Sequence, residues 1–265
     1  MNKNKITFLL VFLLMFCTAH LYAWSTVGHR IIAEIAERNL NRKAKKELKI
    51  LLEGRSLAYW STWADQIKSD TTGTWKDTFK WHYINFPSGL SFEEFSQQLE
   101  NYATENIYSA IKENQKKLKD TSLSINERRT ALHFLIHLMG DLEQPLHVGR
   151  AEDMGGNKIE ISWTFTNANL HYVWDSQLIN YYKYSYTEYA SVLDIHSKKE
   201  NKKLAEGNLE DWLFDSYLLA EKIYNEIEQY DKQENQYAYY NKEVLEDQLL
   251  KGGLRLAKVL NELLG

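Results

Sequence analysis

The stretch His133-Phe-Leu-Ile-His-Leu-Met-Gly-Asp-Leu-Glu-Gln-Pro-Leu-His147 sets an apolar helical pattern against two histidines and an aspartate, and then stops at a proline. Residues four apart on an α-helix lie roughly 40° apart around its axis, so His137 and Asp141 share a face and can converge on one ion, with His133 extending the stripe. Pro145 lacks a backbone N–H and cannot continue the helix, so the chain is expected to turn near Gln144 and return His147 toward that face. Read alone, the segment fits either metal ligands or a core helix whose His and Asp satisfy each other by a hydrogen bond.

The same spacing recurs. Asn-Leu-His171-Tyr-Val-Trp-Asp175 repeats the His/Asp pair, and Trp-Ala-Asp65 with Trp-His82-Tyr adds another of each among tryptophans. Three aspartates and four histidines in apolar surroundings are costly unless paired or coordinated. Imidazole and carboxylate without thiolate suit a hydrolytic zinc site with exchangeable positions better than a closed structural one.

Helical periodicity dominates the rest of the chain, in His29–Leu40, Phe92–Ile111, Arg128–Leu142, Asp211–Ile227 and Gly252–Leu264. With Pro87 and Pro145 the only prolines, long helices go uninterrupted. The expected fold is mainly α and single-domain. One short β-hairpin excursion is read where Gly155 and Gly156 precede alternating Ile159, Ile161, Trp163 and Phe165.

The opening residues carry a basic start and an apolar run too short to span a bilayer, which reads as a signal peptide over 1–23, cleaved before Trp24. Export to the periplasm or medium follows from that reading, and residues 24–265 form the functional domain. Cys17, the single cysteine, belongs to the apolar run, so the mature chain is expected to hold no disulfide. Loss of Lys3 and Lys5 takes the basic count from 32 to 30 against 36 acidic residues, moving the net charge from −4 to −6. Such a chain is no basic nucleic-acid scaffold. If it handles a polyanion, bound metal is the obvious local source of positive charge.

Taken together, the stretches from Trp24 to Ala36, Thr62–Asp65, Trp81–Asn85, Phe134–His147, Gly155–Ile159 and Asn169–Asp175 resemble the zinc-dependent single-strand-specific nucleases and 3′-nucleotidases, the S-one/P-one family. The resemblance runs in order over nearly the whole chain from Trp24. It implies a mostly helical fold holding three zinc ions, shared with zinc phospholipases C. By this resemblance Asp65, His82, His137 and Asp141 hold the first ion, and His147, His171 and Asp175 the second. The α-amine and carbonyl of Trp24, His29 and the other oxygen of Asp141 hold the third. An α-amine ligates only when free, so an uncleaved precursor is expected to hold the third ion poorly.

The implied activity is hydrolysis of single-stranded DNA and RNA to 5′-phosphorylated products by a zinc-activated hydroxide, with removal of phosphate from 3′-nucleotides. Asp65 and Asp141 take catalytic roles as ligands. Tyr83 occupies the position of a base-stacking aromatic, and Lys68, one turn beyond Asp65, that of a phosphate contact. Asn85 stands where the fungal relatives carry aspartate, so it can hold a hydrogen bond but not a proton. Both Lys68 and Asn85 are counted among the catalytic candidates. His133 is expected in the core or behind the ligands, and His196 in a loop. Two alternatives carry other functions: a zinc phospholipase C, and an exported zinc-binding protein without turnover. A structural helical protein whose polar clusters are internal hydrogen bonds is a third. The expected assembly is a monomer with no stable membrane association.

Overall fold

A computed structural model describes residues 24–163, 166–230 and 234–265. Residues 1–23, where a signal peptide with Cys17 is expected, and Phe165 of the expected hairpin lie outside the described residues.

The opening stretch forms the helix that organises the molecule. α7 (Ile125–Asp141) starts at a capping box in which Ser124 Oγ accepts from Glu127 N at 3.3 Å while Glu127 Oε2 accepts from Ser124 N at 2.9 Å. From Ala131 to Asp141 every residue is buried, so this helix runs through the interior rather than along it. It ends where expected. Gln144 is extended, Pro145 opens a 3₁₀ turn (Pro145–Val148), and Gln144 Oε1 caps that turn by accepting from Leu146 N at 2.7 Å.

Around it the chain runs through α1 (Thr26–Arg38), α2 (Arg42–Leu51), the single turns α3 (Leu57–Trp60) and α4 (Trp63–Gln66), a 3₁₀ stretch ending at His82, α5 (Phe92–Glu100) and α6 (Ile107–Lys119). The periodicity of Phe92–Ile111 reads as one helix, but it breaks between α5 and α6. Asn101 turns back to bond Gln97 O at 2.8 Å, and Asn106 opens α6 as a cap for Ser109 N at 3.1 Å. Two asparagines offering side-chain substitutes for helical bonds outweigh the apolar spacing.

Beyond α7, β1 (Glu160–Trp163) and β2 (Thr166–Asn169) pair antiparallel with Ile161 opposite Ala168. This is the expected hairpin. It leads into α8 (Leu170–Tyr172), a π-helical turn (Val173–Gln177), α9 (Leu178–Tyr181), α10 (Tyr186–Leu193), α11 (Lys198–Leu204), α12 (Leu209–Tyr230) and α13 (Glu234–Leu264). α13 begins 18 residues before the Gly252–Leu264 pattern read from sequence. It crosses α1 closely because Gly252 and Gly253 lack side chains: a Cβ at Gly253 would lie 2.5 Å from the Ile35 side chain. The core is continuous from Trp24 to Leu264, and the mainly helical single-domain reading holds for the described residues.

Candidate metal centre

Eight polar side chains from seven elements meet at the inner end of α7. His29 stands in the first turns of α1, Asp65 on α4, His82 at the end of the 3₁₀ stretch, and His137 and Asp141 on α7. His147 comes from the proline turn, and His171 and Asp175 from α8 and the π turn. Three convergences result, His29–His137–Asp141, Asp65–His82–His137 and His147–His171–Asp175, each with its ligand-type atoms within 4.8 Å of one another.

Asp141 stands between them. Its Oδ2 lies 2.8 Å from His82 Nδ1 and 3.2 Å from His137 Nε2, while Oδ1 lies 3.2 Å from His29 Nε2 and 3.7 Å from His147 Nδ1. Asp65 Oδ1 is 3.6 Å from His137 Nε2, and Asp175 faces His147 Nε2 at 3.7 Å and His171 Nε2 at 3.2 Å. The π turn does not separate His171 from Asp175, so the four-residue pairing survives the loss of α geometry.

Backbone carbonyls orient the rings from behind. His137 Nδ1 bonds Ser61 O at 2.7 Å and His171 Nδ1 bonds Gly155 O at 2.7 Å, which turns each Nε2 into the cluster. Gln144 Nε2 donates to Asp175 Oδ1 at 2.5 Å. The loops are stitched together as well: Ile84 N donates to His147 O at 2.9 Å and Phe86 N to Gly149 O at 3.0 Å.

Among themselves these groups are poorly satisfied. His29 Nδ1 and Nε2, His82 Nε2, Asp141 Oδ1 and His147 Nδ1 are buried without a hydrogen-bond partner, although His29 Nε2 and Asp141 Oδ1 are only 3.2 Å apart, because their alignment is not that of a hydrogen bond. Two imidazole nitrogens, His82 Nδ1 and His137 Nε2, face each other at 3.1 Å. Buried orphans of this kind are rare in native proteins, and a nitrogen-and-oxygen donor set with converging lone pairs fits a divalent cation. An internally bonded structural cluster would have left fewer.

The electrostatics point the same way. Burial alone would raise the carboxyl pKa of Asp141, but the charge of His137 and the close ring nitrogens of His137, His29 and His82 hold it well below the ordinary range. Asp175 is likewise held low against burial, chiefly by His171. Burial lowers His29, and His82 falls to about 4, leaving both rings neutral and able to donate a lone pair near pH 7. On His137 and His171 burial is outweighed by facing carboxylates, and their pKa values rise.

A cleft of about 470 Å³ opens over the cluster, with Lys68, Tyr83, Asn85, His82, His147 and His171 in its lining. Tyr83 is 40% exposed. Asn85 is half-buried, and Lys68 lies against Asp65 with Nζ to Oδ1 at 2.7 Å.

The S1/P1 Nuclease family description matches residues 24–265. The chain belongs to that family. Endonuclease 2 of Arabidopsis thaliana is 30% identical over 288 aligned positions, covering 95% of this chain and 94% of that protein. Nuclease P1 of Penicillium citrinum is 29% identical over 162 positions, 58% of each chain, and Nuclease S1 of Aspergillus oryzae 28% over 168, covering 59% of this chain and 55% of that one. Membership in the S1/P1 nuclease family makes the chain a hydrolase of phosphodiester bonds, and the helical fold is the family's.

Several neighbours of the site had no signature in the sequence. Phe79 and Met154, 40% and 50% exposed, also line the cleft. Met154 has φ +57° immediately before the positive-φ pair Gly155 and Gly156, so it rides a tight turn that only the glycines announce. His133 does not enter the cluster; it stacks on Trp60 at 3.9 Å beside Trp63, as a core residue. His196 is exposed in the connection before α11, as read. Trp24 is fully buried against Gly28, and Ser25 N donates to Asp175 O at 2.7 Å, so the start of α1 is pinned to the cluster instead of frayed.

Proposed function

We propose that the chain is an exported zinc-dependent phosphodiesterase that cleaves single-stranded DNA and RNA to 5′-phosphorylated products and removes phosphate from 3′-nucleotides. The observation that carries the reading is the convergence of eight His and Asp side chains, five of their atoms buried and unbonded, beneath a cleft with an exposed tyrosine. Three ions are assigned: one to Asp65, His82, His137 and Asp141, one to His147, His171 and Asp175, and one to His29, Asp141 and the Trp24 main chain. Export would expose the Trp24 amine by cleavage after Ala23. Among the described residues no helix is long and apolar enough to cross a membrane.

Bound zinc would supply Lewis acidity toward phosphate and a lowered pKa for water. The protein does the rest by placement. Water adds across the P–O3′ bond: its oxygen bonds phosphorus, the 3′ oxygen leaves with a proton, and the phosphate remains on the 5′ product. Tyr83 offers a ring face for an unpaired base, worth roughly 1–3 kcal/mol, which a base held in a duplex cannot use. Lys68, tied to Asp65, presents a positive charge at the phosphate, and the Asn85 amide holds a hydrogen bond there without taking a proton. A self-contained cleft of this kind suits a monomer.

The test is release of acid-soluble nucleotides from single-stranded DNA by protein beginning at Trp24, before and after chelation and zinc restoration. Activity restored by zinc and absent in His137→Ala is expected. No release at verified zinc occupancy sinks the reading. Parallel assays on 3′-AMP and phosphatidylcholine separate it from the phospholipase alternative.

A further inference from the structure

α2 carries Arg42, Lys45, Lys46 and Lys49 at i, i+3, i+4 and i+7, all exposed, on the face opposite the buried Ala44, Leu48 and Leu51. In a chain with net charge −4, none of the four forms an ion pair among the described residues. Lys45 and Lys49 also border a second cleft of about 350 Å³ together with Arg55. Beside it Tyr59 is 51% exposed with the Arg55 guanidinium 4.9 Å above its ring. A row of unpaired cations leading to an exposed aromatic is the combination by which proteins hold single-stranded nucleic acid, phosphates on the charges and a base on the ring.

The row is joined to the metal centre by short structure. Tyr59 belongs to α3, and two residues later Ser61 O holds His137. Asp65 and Lys68 follow on α4 and its extension. At the far end of α7, Arg129 Nε donates to Leu51 O at 3.1 Å, fixing the end of α2. The twelve residues from Arg129 to Asp141 span roughly 18 Å of helix. At the roughly 3.4 Å per nucleotide of a stacked strand, about six nucleotides cover that length, and an extended strand covers it with fewer.

We infer that the Arg42–Lys49 face of α2, with Arg55 and Tyr59, is an accessory site for the phosphate backbone of a single-stranded polynucleotide whose scissile bond lies in the metal cleft. The inference rests on the nuclease reading. An anionic membrane is the weaker occupant, since the apolar side of α2 is spent in the core and only Ile50 is exposed there to insert into lipid.

The deciding comparison is the quadruple variant Arg42→Gln/Lys45→Gln/Lys46→Gln/Lys49→Gln against wild-type zinc-loaded enzyme, with KM taken for a 30-nucleotide single strand and for a dinucleotide across a salt series. At low salt the variant should raise KM for the 30-mer about tenfold or more and lower the slope of log KM against log salt by up to about three, at 0.7 per lost phosphate contact. Dinucleotide kinetics should stay at wild-type values. Tyr59→Ala should raise KM for the 30-mer only. Equal KM and slope for the 30-mer in variant and wild type overturn the proposal, as does a loss of the same size on the dinucleotide in both the quadruple variant and its halves Arg42→Gln/Lys45→Gln and Lys46→Gln/Lys49→Gln. If wild-type protein hydrolyses neither substrate the nuclease reading fails, and anisotropy of a fluorescent 30-mer still decides the site: binding that the quadruple variant loses supports it, and binding unchanged overturns it. Loss of sedimentation with anionic phospholipid vesicles at unchanged 30-mer KM assigns the face to a membrane and also overturns it.

Discussion

A methyl group on Gly140 would lie 2.7 Å from His29 Nδ1 and 3.1 Å from its Cε1. Neither neighbour can give way, because His29 is buried and stacked on His137 with ring centres 3.8 Å apart. Gly140→Ala should therefore displace His29 while leaving α7 a better helix former, lowering zinc affinity at that ion and turnover by about 10–100-fold, as when a ligand's support is removed. Wild-type metal content by elemental analysis, with wild-type turnover, would show that His29 is dispensable. A second residue gives a pH test. His133 is 7% exposed against Trp60, and burial, aided by the Arg129 charge, lowers its pKa to about 4. In the unfolded chain it titrates near 6.5, so between those values the unfolded state binds the extra proton and stability falls as pH falls. His133→Phe keeps the stack and removes the titration. Relative to wild type it should gain about 2 kcal/mol between pH 7.5 and pH 4.5 in denaturant unfolding, and a pH-independent difference would refute the assignment. These residues also show what the sequence discloses. His137 with Asp141 and His171 with Asp175 were legible because four-residue spacing is a property of side chains, and His29 only through the family resemblance, whereas the carbonyls of Ser61 and Gly155 that aim two of the rings are backbone atoms, identical in every residue.

Between elements, the loop after α7 is clamped from below. Glu143, fully buried, accepts from Arg255 Nη1 of α13 at 3.0 and 2.9 Å, Arg255 Nη2 reaches Asp215 of α12 at 2.5 Å, and Gln248 Nε2 donates to Glu143 O at 2.9 Å. Two helices, α12 and α13, and the loop that follows α7 thus share one charged node. Breaking one side of such a pair costs about 3–5 kcal/mol, since the partner stays buried and uncompensated. Arg255→Met should lose that much in urea unfolding at pH 7, and Glu143→Gln/Arg255→Met should recover a large part of it. Equal losses in the two variants would mean that Arg255 acts through packing alone. Burial already pushes the Glu143 pKa up, so in the single variant proton uptake by Glu143 limits the loss. Helix periodicity could place α12 and the end of α13 but said nothing of this node, which joins residues more than a hundred positions apart. It also ran α5 and α6 together, because apolar spacing carries no information about an asparagine that prefers to cap.

For the whole molecule, the cluster is a cost that folding has to meet. Eight titratable side chains sit around the inner end of α7, with five of their donor or acceptor atoms unbonded, and desolvating such groups without partners opposes folding by about 1–3 kcal/mol each. A chain with one cysteine has no internal disulfide to offset this. Zinc that binds the folded state and not the unfolded one stabilises it by RT ln(1 + [L]/Kd), about 4 kcal/mol per ion at a thousandfold excess over Kd. For a domain of this size each kcal/mol moves Tm by about 2–4 °C, so removing even one ion should lower Tm by about 10 °C and removing all of them by more. Calorimetry on protein stripped by chelator, with residual metal measured, should show that fall and its reversal on adding zinc, while magnesium, which favours oxygen ligands, should not restore it. An unchanged Tm after verified stripping would mean that the helical packing around α7 carries the unsatisfied cluster unaided, and that metal enters a finished fold for chemistry alone.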